Sequence, residues 1–134
     1  MPNLRAAVTV AFALNGFLFG SLMARVPAIK ADLGLGEGEL GLALLCSSLG
    51  LVVSQPLAGA AAARFGSRPV AAVGVCLYGG LLATPALAPG LGWLMAAFAA
   101  LGLGSGFLDV AMNAQGGQAE HRHERAIFSS FHAA

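Results

Sequence analysis

Charge in this sequence is confined to a few short stretches, and the gaps between them are long enough to cross a bilayer. The chain carries seven Lys and Arg and six Asp and Glu. They fall at Arg5, Arg25–Glu39, Arg64–Arg68 and Glu120–Arg125, with Asp109 standing apart. Four apolar windows remain, at 6–24, 40–63, 69–88 and 92–115. A helix rises ~1.5 Å per residue, so about 20 apolar residues cross a ~30 Å hydrocarbon core. Inside lipid every backbone donor and acceptor must be satisfied by the chain itself, which a helix achieves within one segment. The expected fold class is therefore all-α, a polytopic membrane helix bundle with four transmembrane helices.

Composition agrees. Only 10% of residues are charged, against about 25% in soluble domains. A net charge of +1 leaves no electrostatic footprint for nucleic acid, so the partner implied is the lipid bilayer. A cleaved leader does not suit the first window. Its apolar core is too long, and Leu22-Met23-Ala24 is a poor small-x-small cleavage site. Cys46 and Cys76 fall at different depths on antiparallel spans and are read as small buried apolar residues without a disulfide.

In the first span, Asn15 places a costly amide near mid-depth. Gly16 and Gly20 form a GxxxG ridge suited to close helix contact. Asn15, Leu18, Leu22 and Arg25 follow helical spacing on one face. Arg25–Glu39 reads as a solvated connector in which Pro27 limits continuation of the helix. The second span holds Gln55 and Pro56, either a kinked gating helix or a tolerated bend. The third, at 69–88, has no charge or amide and Tyr78 as its aromatic residue, as expected of an outer, lipid-facing helix. Pro85, Pro89 and Gly90 then make a turn.

The fourth span begins with Trp93, an interfacial aromatic. Gly102, Ser105, Gly106, Asp109 and Asn113 recur at helical spacing as a small and polar stripe. Asp109 obliges that stripe to face protein or water. Gly116–Arg125 reads as a polar loop, and Ile127–Ala134 as the first turn of a truncated fifth helix.

The spans alternate, so Arg5, Arg64, Arg68, Arg122 and Arg125 share one side and Arg25 and Lys30 the other. The positive-inside rule places the N-terminus in the cytoplasm, with the chain multi-pass in the plasma (inner) membrane.

Asp109 is the sharpest candidate for chemistry. A lone carboxylate in a span costs ~2.5–3.5 kcal/mol on insertion scales, and the residue serves either proton coupling or substrate contact, or a structural ion pair. Asn15 and Asn113 are further solute or coupling candidates on the two polar spans, and Arg25 can attract anionic groups at the outer mouth or snorkel to the interface. Glycines 102, 104 and 106 sit inside a span, where close packing explains them better than phosphate binding. His121, His123 and His132 lack metal-ligand spacing and Cys partners. No catalytic constellation is visible, so neither an enzyme nor a cofactor is expected.

Gly59, Arg64, Gly66 and Arg68, in GAAAARFGSRP between the second and third spans, resemble the loop motif of the major facilitator superfamily of secondary transporters. Ala63 stands where that motif has an acid, which puts a cytoplasmic latch in doubt. Together with 15–35 and 104–116, the likeness is to the branch near the fucose-permease-type transporters. The resemblance implies that this chain is the N-terminal third of about twelve helices and that the remaining helices lie C-terminal. It implies that the first and fourth helices line a central cavity. It also implies transport of a small solute by alternating access. Two rivals stand beside it: a complete four-helix protein working as an oligomer, as small multidrug exporters do, and a structural membrane subunit without transport.

Overall fold

The computed structural model describes the backbone of residues 2–123 and the side chains of residues 6–118. The described chain is helical, with α1 at Pro2–Leu33, α2 at Glu37–Phe65, α3 at Ser67–Leu81, a 3-10 turn at Thr84–Leu87 and α4 at Leu91–His123. Four segments among the described residues are long and apolar enough to cross a membrane.

The bundle is assembled on α4. In its most apolar window 44% of residues are buried, against 17–22% in the other three. Helix α2 lies on one side of α4 and α3 on another, while α1 adds Val8, Phe12, Leu18, Leu22 and Ile29 to the shared core. Lipid tails offer little hydrophobic drive for helix association, so close backbone approach must supply it. Small residues permit that approach. A Cβ on Gly102 would overlap the Ser47 carbonyl, and one on Gly106 would overlap the Ser54 hydroxyl. On the opposite side, a Cβ on Gly74 would lie 2.5 Å from the Leu108 nitrogen, and one on Gly104 would lie 2.8 Å from the Tyr78 nitrogen. The order of these pairings makes α2 and α4 parallel and α3 and α4 antiparallel. The α2–α3 turn and the Asp109 half of α4 therefore sit toward the same end of the bundle.

Two tight turns join the first three helices, each built on a glycine with positive φ. Gly34, at φ 63°, ends α1. Its N–H donates to the Ala31 carbonyl at 3.2 Å and the Leu35 N–H donates to the Lys30 carbonyl at 3.0 Å. This is a Schellman ending, and Leu35 returns to pack on the core. Glu39 then accepts the Gly36 N–H at 2.9 Å at the start of α2. Lys30 and Glu37 form an ion pair across the turn. Gly66, at φ 87°, makes the second turn, its N–H donating to Ala62 at 2.9 Å.

The helices depart from the expected spans at three places. The connector expected at Arg25–Glu39 shrinks to Gly34–Gly36, because α1 continues through Pro27 to Leu33. Proline forfeits one helical bond and crowds the preceding turn. Beyond it Ile29 is buried and Leu33 packs against the core, and those contacts hold the last turns helical. The loop expected from Gly116 is also helix as far as His123. Glycines cost only about 1 kcal/mol each within a helix, and Gln115 and Gly116 are buried there. The third span, in contrast, ends as an α-helix at Leu81. Thr84 donates its hydroxyl to the Leu81 carbonyl at 2.7 Å, and the prolines 85 and 89 lack the donors needed to continue. The start of a fifth helix from Ile127 lies outside the described residues, as do Arg125 and His132.

Candidate functional site

The polar groups inside the bundle fall on α1, α2, α3 and α4. Asn15 is half-buried on α1, and its Oδ1 is a buried side-chain oxygen with no hydrogen bond. The neighbouring core residues Phe12 and Leu18 are apolar, so the oxygen is held away from water by packing. Arg25 is exposed further along α1, and Leu18 and Leu22 bury the face between it and Asn15.

Asp109 and Asn113 are half-buried on α4. The Asn113 amide donates to the main-chain carbonyl of Asp109 at 2.9 Å. It therefore bonds within its own helix and leaves the Asp109 carboxylate to other partners. Among the described residues no hydrogen bond or ion pair joins Asn15, Arg25 and Asp109. The structure thus brings Asp109 and Asn113 together and leaves Arg25 apart.

The glycines divide in the same way. Gly102 and Gly106 are buried against α2. Gly16 and Gly20 have nothing within 4 Å of an added Cβ, so the GxxxG ridge of α1 lies on an open face. The loop expected at the Gly59–Arg68 motif shrinks to Gly66, because Gly59, Ala63 and Arg64 continue α2 and Arg68 already belongs to α3; Gly59 faces open space, and Ala63, Arg64 and Arg68 are exposed. The Arg64 guanidinium sits 5.3 Å over the Phe65 ring. Gln55 and Pro56 point outward on α2, whose helix continues through the proline. Cys46 and Cys76 are free thiols, but neither is the buried residue expected: Cys46 is half-buried and Cys76 is exposed on the outward face of α3. Among the described residues, no three His, Cys, Asp or Glu side chains gather into a metal-binding group.

Apart from Ser105 of the α4 stripe, a set of hydroxyls escaped the sequence reading. A cleft of about 150 Å³ lies among the four helices, and Ser47, Ser48, Tyr78 and Ser105 contribute its polar edge beside Phe19 and Met23. Tyr78 is only 2% exposed and lines the cleft together with Ser105. Helix α3 does present most of its surface outward, but Val70, Gly74 and Tyr78 form one buried face. That four-residue spacing was the available signal, and it marks Tyr78 as inward-facing.

Four helices long and apolar enough to cross a membrane, with polar groups held between them, mark a multi-pass membrane protein. The chain matches the Major Facilitator Superfamily over residues 8–133 and belongs to that family. It is 32% identical over 126 residues to an uncharacterized transporter of Sinorhizobium fredii, covering 94% of this chain and 33% of that protein. It is 34% identical over 134 residues to an uncharacterized MFS-type transporter of Yersinia pestis, covering 96% and 33%. The membrane protein MosC of Rhizobium meliloti is 27% identical over 126 residues, covering 94% and 31%. The chain spans about a third of the length of the curated relatives it matches. No solved structure matches. Members of this family move small solutes across membranes.

Proposed function

We propose that this chain supplies helices of a secondary transporter that moves a small solute by alternating access, coupled to protons through Asp109. One observation carries the reading: polar side chains sit inside spans that have no structural need of them. The Asn15 Oδ1 is buried without a hydrogen bond, and Asp109 lies half-buried in the apolar stretch of α4, which has no other charge between Leu91 and Gln118. An unpaired buried amide oxygen costs about 1–3 kcal/mol. A solute hydroxyl or amine, or a donor on another helix, recovers that cost when it arrives. A carboxylate in a span suits a group that gains and loses a proton as the protein alternates.

In this reading Asn15 contacts solute, Asn113 braces the α4 backbone below Asp109, and Arg25 stands at the outer mouth. The remaining helices of the same transporter complete the cavity. The branch near the fucose-permease-type transporters makes a sugar or similar hydrophilic metabolite the first solute class to try. The N-terminus is cytoplasmic in the inner membrane, because the Arg64–Arg68 turn and Arg122 then share the positive side.

The test is solute uptake into proteoliposomes by the full-length transporter containing this chain, driven by an imposed pH gradient. Asp109→Asn is expected to abolish gradient-driven accumulation while leaving solute exchange at equilibrium. Accumulation that is unchanged in Asp109→Asn removes the coupling role. Labelling of intact cells that places Arg64→Cys and Arg122→Cys on opposite faces refutes the topology.

A further inference from the structure

A second recess lies away from the polar interior, at the bundle end marked by the α2–α3 turn. It is a groove of about 410 Å³ lined by Ala61, Phe65, Pro69, Val70, Val73 and Phe107. Every lining side chain is apolar. Phe65 is 64% exposed and Val73 49% exposed, so the groove opens to the outside of the bundle, where lipid is the solvent.

Its rim is cationic. The Arg64 guanidinium stands 5.3 Å over the Phe65 ring, which is itself a groove wall. Arg68 immediately precedes Pro69, another wall, and both arginines are exposed. Neither forms an ion pair among the described residues, and no Asp or Glu occurs in the sequence between Glu39 and Asp109. Asp109 is two residues on from Phe107, and residues two apart do not share a helix face. An apolar slot beneath two uncompensated arginines at a helix turn complements a molecule with an anionic head and a hydrocarbon tail.

We infer that this groove is a binding site for an anionic phospholipid, its phosphate held by Arg64 and Arg68 and an acyl chain laid against Phe65, Val70, Val73 and Phe107. Arginine forks match phosphate oxygens, and basic pockets between membrane helices favour anionic headgroups. With Ala63 and no acid at that position, the turn carries no local negative charge to compete with the phosphate.

The experiment uses the whole 134-residue chain in detergent micelles, given equal amounts of phosphatidylglycerol and phosphatidylcholine. Retained lipid is counted by native mass spectrometry. Phosphatidylglycerol is expected to be retained in preference. Each arginine near a membrane surface contributes about fivefold, so Arg64→Gln with Arg68→Gln should lower the preference about 30-fold. The paired substitutions Arg64→Lys and Arg68→Lys, which keep charge, should restore most of it. Val73→Trp fills the slot and should reduce retention with helix content unchanged by circular dichroism. Leu87→Trp, toward the other end of the bundle, should retain lipid like the wild type. A preference that survives the loss of both arginines overturns the proposal. So does a photoactivatable side chain at Val73 that captures polypeptide, whether a second copy or another helix, in place of lipid.

Discussion

Replacing Gly102 by alanine adds one methyl group where the structure has no room for it. The new Cβ would lie 2.9 Å from the Ser47 carbonyl carbon and 3.0 Å from the Leu51 nitrogen, and would overlap the Ser47 oxygen. These are backbone atoms of α2, so no side chain can rotate away. Restoring an ordinary contact of 3.4 Å to that carbon alone takes 0.5 Å (3.4 less 2.9), and relieving the overlap with the Ser47 oxygen forces α2 and α4 further apart than that. A gap of 0.5–1 Å forfeits about a quarter to a half of each dispersion contact along the seam. Overpacking of this kind costs about 1–3 kcal/mol, while alanine returns up to about 1 kcal/mol of helix propensity. The net expectation is a loss of about 1–2 kcal/mol. Gly16→Ala is the matched control, because its Cβ meets nothing within 4 Å; it should be neutral or stabilising by up to about 1 kcal/mol. Reversible unfolding of the chain in mixed micelles, followed by circular dichroism, measures both. Faster thiol labelling of Cys46, which sits half-buried on α2 one residue before Ser47, should accompany Gly102→Ala. If the two alanine variants shift stability in the same direction, the claim that α4 is seated by glycine contact with α2 is wrong.

Two further perturbations separate backbone from side-chain effects. Gly66→Ala forces a side chain into the positive-φ turn between α2 and α3 and should cost about 1–3 kcal/mol, whereas Gly59→Ala, in open space, should cost nothing measurable in the same unfolding assay. Tyr78→Phe removes a hydroxyl at the cleft edge beside Ser105 and should cost no more than about 0.6 kcal/mol, the average for a polar contact between membrane helices; Tyr78→Ala should cost about 3–5 kcal/mol from the vacated core, and equal losses for the two would show that the ring contributes no packing.

Membrane residence was legible in the sequence because charge placement alone decides it. Lipid penalises each charge wherever it falls in a span, so Arg25, Arg64 and Asp109 locate the boundaries and the exception without any knowledge of neighbours. The loop motif around Gly66 was legible for a similar reason, since only glycine adopts that turn at no cost. Helix ends were less so. Pro27 and Gly116 carry local penalties of a few kcal/mol at most, and contacts made by Ile29, Leu33 and Gln115 with distant parts of the chain outweigh them.

Which small residues bring helices together was beyond the sequence. Gly16–Gly20 and Gly102–Gly106 present the same spacing, yet only the second pair lies on another helix, because spacing names a face and not what stands opposite it. Tyr78 shows the same limit. In an apolar span its hydroxyl has no local partner, and only the antiparallel register of α3 on α4 brings Ser105 within reach. The sequence by itself determined the solvent, the number of crossings and the family, since those depend on residue chemistry summed along one segment. The tertiary structure alone decided that α4 is the central helix, that a hydroxyl-edged cleft and an arginine-rimmed groove exist, and which polar atoms go unpaired, because each of these is a relation between segments far apart in the chain.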